Sequence, residues 1–311
     1  MPNGWRRLTV LAALAGAALL AAGCSSSFAL DTTTADGKIV AIGAESQYAD
    51  VIQQVGGKYV QVSAIMSNPS TDPHTFEASA SVGRLVNAAR LVVQNGLGYD
   101  TFMDTIEKAV PDSGRHVIVV QKLLGLPDST PNPHLWYDPA TMPKVADAIA
   151  AELAALQPEH AAYFTANAKS FTSSLQTWVN AIETFKQQYP GVPVATTEPV
   201  ADYLLAALGA TNKTPWAFQA DVMNGTDPSA QDVAIERSLF TQRQVKAFVY
   251  NQQVTDSLTE SFISLARANH IPVVGVYETM PEPGYRYQSW MLAEVRALRN
   301  AVTSGVSSEH L

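Results

Sequence analysis

The stretch Lys38-Ile39-Val40-Ala41-Ile42-Gly43, followed by Glu45 to Val55 and the paired stop Gly56-Gly57, decides the fold. Its first six residues are mostly apolar, with two β-branched isoleucine/valine neighbours, the composition of a short strand. From Glu45 the apolar residues fall at helical spacing until the glycines end the run. A strand that feeds directly into a helix is half of a βαβ unit, and the same alternation extends outward. Val60 to Met66 reads as strand, Ser79 to Ala89 as helix, Leu91 to Gln94 as strand, Tyr99 to Val110 as helix and His116 to Val120 as strand. A second series runs from Val192: strand to Thr196, helix Val200 to Leu208, strand Val245 to Tyr250, helix Ser257 to Ala268, strand Pro272 to Tyr277, helix Tyr287 to Val302. Strands separated by helices of roughly ten residues argue for parallel sheets. The reading is an α/β fold of two lobes, repeated in architecture but not in sequence.

Between the two series, after a helix from Ala140 to Leu156 and a break at Pro158, Phe164, Phe171, Trp178 and Phe185 recur with Ala168, Leu175 and Ile182 interleaved. Steps of three and four are helical spacing. An unbroken helix from Pro158 to Gln188 would be about 45 Å long, enough to run along both lobes and couple them. The alternative is two helices parted at Ser173-Ser174. The expected organisation is a signal peptide over residues 1–23, a tether over 24–36, an N-terminal α/β lobe over 37–157, one long connecting helix over 158–189 and a C-terminal α/β lobe over 190–311.

The amino terminus carries its own message. Arg6-Arg7 precedes an apolar run from Leu8 to Ala22 that ends in small residues, the layout of an export signal. That run falls short of the roughly 20 apolar residues a membrane span requires. Cys24 is the only cysteine in the chain, so it has no internal disulfide partner, and Ser25-Ser26-Ser27 after it reads as a flexible tether. The alternatives are an ordinary secretory signal or a chance cysteine. The formal charge is −8, and loss of a leader that holds two arginines and no acid makes the remainder more acidic. With no basic run, nucleic acid is excluded as an expected partner. At 311 residues the chain exceeds the usual size of a single core.

Four candidate ligands lie at predicted strand ends. His74 follows Asp72-Pro73 and precedes Thr75-Phe76-Glu77, and His134 follows Asn132-Pro133 and precedes Leu135-Trp136. The fixed φ of proline stiffens the loop where an imidazole has to be held. Glu198 follows the first strand of the second half, in Thr196-Thr197-Glu198-Pro199, and Glu278 follows the last, in Tyr277-Glu278. The carboxyl edge of an open α/β sheet is the usual ligand crevice. A carboxylate there without a basic neighbour is costly unless a cation offsets it. For Glu198 the plainer reading is an acid at a helix N-terminus beside Pro199. His116, His160, His270 and His310 read as solvated histidines. Asp72, Glu77 and Asp138 are candidate acceptors for imidazole N–H groups. Asn95-Gly96-Leu97-Gly98 lacks the spacing of a nucleotide fingerprint and reads as a strand-to-helix turn.

Taken together, Asp72-Pro73-His74-Thr75-Phe76-Glu77, Asn95-Gly96-Leu97-Gly98-Tyr99 and Asn132-Pro133-His134-Leu135-Trp136 closely resemble the zinc/manganese solute-binding lipoproteins of ABC transporters. Leu20-Ala21-Ala22-Gly23-Cys24 resembles a bacterial lipobox. The resemblance implies two α/β lobes bridged by one long helix, with a divalent metal at their interface held by His74, His134, Glu198 and Glu278. It further implies acylation of Cys24 in membrane lipid on the extracytoplasmic face, a permease of an ABC importer as partner, and no enzymatic activity. The chain is expected to act as a monomer. Two departures bear on the metal. Glu198 stands where zinc importers often carry histidine, and Glu278 is one methylene longer than the usual aspartate, so Tyr277 or a water is a candidate to share the site. Ser67 to Ser79 holds a single histidine, unlike the His-rich loop of zinc-specific relatives. Two imidazoles with two carboxylates suit Mn²⁺ or Fe²⁺, while the divalent affinity order lets Zn²⁺ compete; the resulting order is Mn²⁺, Zn²⁺, Fe²⁺. The competing readings are a membrane-anchored metal-dependent hydrolase and a metal-binding adhesin or chaperone. Against the hydrolase, the chain has no HExxH helix and no G-x-S-x-G elbow.

Overall fold

A computed structural model describes residues 34, 36–70, 76–112, 114–281 and 284–311. Cys24 with its leader, and His74 with Asp72, therefore lie outside the described residues. The first lobe runs β1 (Ile39–Glu45), α1 (Ser46–Gly56), β2 (Val60–Met66), α2 (Ala80–Ala88), β3 (Leu91–Gln94), α3 (Thr101–Ala109), β4 (His116–Val119), α4 (Val120–Leu123) and α5 (Thr141–Leu156). Two segments, α6 (Ala161–Ser174) and α7 (Gln176–Gln188), lead to the second lobe. That lobe runs β5 (Pro193–Thr196), α8 (Asp202–Ala207), β6 (Thr211–Asn212), α9 (Trp216–Met223), α10 (Ala230–Thr241), β7 (Ala247–Asn251), α11 (Ser257–Ala268), β8 (Val273–Val276) and α12 (Tyr287–Ser304).

Each lobe holds a four-stranded sheet, ordered β2-β1-β3-β4 in the first and β6-β5-β7-β8 in the second. Every strand pairing within them is parallel. Counted within its own lobe, each sheet has the order second, first, third, fourth. The order in which strands are added therefore switches sides between β1 and β3, and again between β5 and β7, and a crevice opens at the carboxyl ends where it does.

Both faces of the central strands are buried, as βαβ crossovers require. Ile39 and Ala41 of β1 join the main core, while Ile42 and Ala44 turn to a smaller cluster with Val86 and Met103. Strand β7 does the same, with Ala247 and Val249 in the main core and Phe248 and Tyr250 packed with Phe240 and Phe262. The main core is not confined to one lobe. It runs from Val55 and Leu91 through Phe164, Phe171, Trp178 and Phe185 to Val194, Val249 and Trp290.

The expected connecting helix is built as two consecutive segments. Pro158–His160 forms a 3₁₀ turn, α6 begins at Ala161, and the helical hydrogen bonding is interrupted at Leu175. Leu175 keeps right-handed helical angles, φ −73° and ψ −13°, and its N–H reaches Thr172 O at 3.2 Å, a tightened 3₁₀-type bond. The interruption falls one residue past the Ser173-Ser174 pair. Ser173 Oγ donates to Lys169 O and Ser174 Oγ to Phe171 O, competition for backbone acceptors that disturbs helices. The apolar stripe continues across it, with Phe171, Leu175 and Trp178 all buried. No helix among the described residues is long and apolar enough to cross a membrane.

Candidate metal centre

Residues that follow strands of the two sheets at their carboxyl ends face one another. Asn95 to Tyr99 follow β3, Thr197 and Glu198 follow β5, Asn251 ends β7, and Tyr277 and Glu278 follow β8. His134 enters from the loop after α4. His134, Glu198 and Glu278 are all buried, at 0%, 3% and 0% exposure.

Two of the sequence-predicted ligands meet directly. His134 Nε2 lies 3.2 Å from Glu278 Oε2. Tyr99 OH donates to that same oxygen at 2.8 Å. Glu198 is reached through an amide: Asn251 Nδ2 donates to Glu278 Oε1 at 2.6 Å and to Glu198 Oε1 at 3.2 Å. Among the described residues no three His, Cys, Asp or Glu side chains converge closely enough to hold an ion, and His74 is not one of the described residues. The structure thus brings His134 and Glu278 into contact and sets Glu198 one amide away.

Each group is fixed by further bonds. Asn132 Oδ1 accepts from His134 N at 3.0 Å and from Nδ1 at 2.8 Å. An amide oxygen only accepts, so Nδ1 carries the proton and the Nε2 edge faces Glu278. The sequence offers Asp72, Glu77 and Asp138 as acceptors; Asp72 lies outside the described residues, and Asn132 accepts the His134 Nδ1 hydrogen bond. Asp138 Oδ1 accepts instead from Ala140 N at the start of α5, and its charge is spent on a helix N-terminus. Gln253 Oε1 accepts from Glu278 N at 2.6 Å and Thr279 N at 2.9 Å, which holds the backbone turn carrying Glu278. Tyr277 does not turn its phenol to the site, for Leu311 N donates to Tyr277 OH at 3.4 Å.

The loop carrying His134 belongs to the first series in sequence but is hydrogen-bonded to the second lobe. Asn132 Nδ2 donates to Pro199 O, Tyr203 OH to Asn132 O, Tyr287 OH to Trp136 O and Tyr137 OH to Tyr277 O. From the other side Gln47 Nε2 donates to Glu278 O and Met280 N to Ser46 Oγ.

Beneath Tyr99 lies a second buried polar group. Asp100 accepts from the backbone N–H of Asn95 and of Gly96, and burial nonetheless raises its pKa to about 6. Glu45, sealed at 0% exposure at the end of β1, is pushed well above the ordinary carboxylate range, first by burial and then by the Asp100 charge. Asn95-Gly96-Leu97-Gly98 is the expected turn: Gly96, Leu97 and Gly98 all have positive φ, 84°, 56° and 78°, an expense for leucine that the glycines avoid. Of the histidines read as solvated, His116 pairs with Glu152, His160 stacks on Tyr59 at 3.7 Å, and His270 takes the left-handed position that closes α11.

Residues 44–301 match the family described as zinc-uptake complex component A, periplasmic. The chain is 24% identical over 282 residues to the manganese-binding lipoprotein MntA of Bacillus subtilis, covering 86% of this chain and 89% of that protein. In structure it is similar to the periplasmic zinc-binding protein TroA of Treponema pallidum, with a TM-score of 0.71 at 19% identity over 87% of this chain and 100% of that one. It is also similar to the Mn-bound periplasmic metal-binding protein of Candidatus Liberibacter asiaticus, with a TM-score of 0.70 at 17% identity over 85% and 100% of the two chains. The chain belongs to the zinc-uptake component A family of metal-binding transport proteins. That membership sets aside the hydrolase reading.

Proposed function

We propose that this protein captures a divalent transition metal outside the cytoplasm and hands it to an ABC importer, with His74, His134, Glu198 and Glu278 as ligands. The observation that carries the reading is the buried meeting of His134 with Glu278, with Asn251 tying Glu198 to the same carboxylate. An imidazole from the loop after α4 and two carboxylates from separate strand ends supply a donor set for a cation. Relatives named for manganese and for zinc support either metal as cargo; the two carboxylates favour manganese. Release proceeds through small shifts, since a core shared by both lobes opposes a wide hinge.

Metal content of purified protein tests the ligand set. The unaltered chain is expected to bind one Mn²⁺ or Zn²⁺ tightly, and His134→Ala to lose that ion while keeping its circular dichroism. Stoichiometric binding by the variant would refute the assignment. The lipobox-like sequence before Cys24 supports anchoring by acylation, with the protein acting as a monomer. Cys24→Ser is expected to shift it from the membrane fraction to the soluble one, and an unchanged distribution would remove the anchor from this reading.

A further inference from the structure

The two lobes repeat one topology yet treat the outer edge of their fourth strand differently. In the second lobe the chain's own tail covers β8: Gly275 N donates to Ser308 O and Ser308 N to Val273 O, each at 2.9 Å, forming a parallel bridge opposite Val274. Gly275 permits this approach, because a Cβ there would stand 2.1 Å from Glu309 O. In the first lobe β4 is likewise the last strand of its sheet, and among the described residues no segment pairs with its outer side. His116 N donates inward to Arg90 O. Alternate residues of a parallel strand serve opposite neighbours, so Val117 directs its peptide groups outward. Its side chain is 40% exposed.

A groove of about 570 Å³ runs along this edge between α3 and α5. Asp104 and Glu107 line it from α3 and Glu152, which also pairs with His116, from α5, while Lys122 lines it as the one lysine and Arg115 acts on Glu107 from beside it. At its base Gln94 is 2% exposed; its Nε2 donates to Asp104 Oδ1 at 3.2 Å, while its Oε1 has no hydrogen-bond partner. Glu107 Oε1 is also sealed without one. Buried acceptors without donors are costly. The groove thus presents an open ladder edge and excess negative charge, at the position equivalent to the edge the chain covers for itself in the other lobe.

We propose that the open edge of β4 is a docking site for an extended segment of another protein, which adds a short strand to the sheet and sets lysine or arginine side chains against Asp104, Glu107 and Glu152. Strand addition draws affinity from backbone hydrogen bonds and selectivity from alternate side chains. With only four residues in β4, the ladder is short and binding is weak. The metal centre takes no part in this surface, so the two assignments stand or fall separately.

The test uses the full chain and a fluorescein-labelled peptide, Thr-Lys-Val-Lys-Val-Thr, blocked at its carboxyl end, read by fluorescence polarisation. Binding is expected to weaken by about tenfold or more in Val117→Pro, which deletes the outward N–H, and in Glu152→Lys, with metal stoichiometry retained in both. An analogue with glutamate in place of lysine is expected to bind about tenfold more weakly than the basic peptide. Equal affinity for the basic and acidic peptides, equal affinity for the unaltered chain and Val117→Pro, or no binding at millimolar peptide would each overturn the proposal. So would a dimer of the unaltered chain that Val117→Pro dissociates, since the occupant would then be a second copy.

Discussion

Asn132 does three things with one residue. Its Oδ1 fixes the His134 ring, its Nδ2 donates to Pro199 O beside Glu198 at 2.8 Å, and its carbonyl accepts from Tyr203 OH at 3.0 Å. Loss of such an acceptor behind a ligating imidazole lowers metal affinity about 10- to 100-fold. Asn132→Ala is therefore expected to weaken binding by about that factor in competition with a metallochromic chelator, and Asn132→Asp, which keeps an acceptor for Nδ1, to weaken it less. Equal affinity for all three proteins would mean that the Asn132 bond does not orient the ring. At this scale the sequence was legible in its imidazoles and acids and silent on its amides. Proline beside His74 and His134, and acids at strand ends, stand out because titratable groups in a crevice need a reason. Asn132, Asn251 and Gln253 carry no charge and match no spacing rule, so their roles appear only once the chain is folded. Asp138 misled for the opposite reason: it is charged and near in sequence, but a helix N-terminus claims it.

Helices α9 and α10 show why some elements escape a reading by periodicity. Trp216 of α9 is 42% exposed, an aromatic on the solvent side, so no single apolar face stands out. Helix α10 places Glu236 inside, at 0% exposure beside Leu239 and Phe240, which breaks the apolar stripe where the pattern needs it unbroken. Burial raises the Glu236 pKa to about 8 against a small opposing effect of Thr214. Helix α12 contains a similar acid. Burial lifts Glu294 to about 8, with Trp290 Nε1–H and Tyr137 OH beside it pulling the other way. Its folded pKa exceeds the ordinary 4.5, so the folded state holds the proton more tightly than the unfolded chain. Below about pH 4.5 both states are protonated and the group adds no pH dependence. Between about 4.5 and 8 the unfolded chain ionises first, and stability falls as pH rises. Glu294→Gln keeps an acceptor for Trp290 and Tyr137 but removes the titration. Urea unfolding from pH 5 to 8 is expected to show a shallower loss of stability in the variant, and parallel curves would mean that Glu294 is already ionised in the fold.

At the scale of the whole molecule, the repeated sheet order suggests two independent bodies, while the core says otherwise. The paired series of strands and helices made the two lobes readable, because each βαβ unit is local in sequence. Their union was readable only as the stripe from Phe164 to Phe185, which a helix of either lobe alone would not need. In the fold Trp178 is 1% exposed and meets Tyr287 of α12 edge-on at 5.9 Å, while Tyr287 OH donates to Trp136 O in the first series. One tryptophan thus packs against a residue that clasps the loop of His134. Multi-lobed chains commonly unfold in steps, and a single transition requires that no lobe be stable once the shared core is lost. Calorimetry is expected to give one transition for the described fold, with van't Hoff and calorimetric enthalpies in agreement. Trp178→Ala is expected to lower it as a unit, at a cost of about 3–5 kcal/mol for a truncated buried aromatic. Saturating metal should move that same transition upward, by the linkage that favours any state able to bind. Two separate transitions in the unaltered chain, with only one of them responding to metal, would mean that the lobes are coupled by the connecting segments alone and not by the core they share.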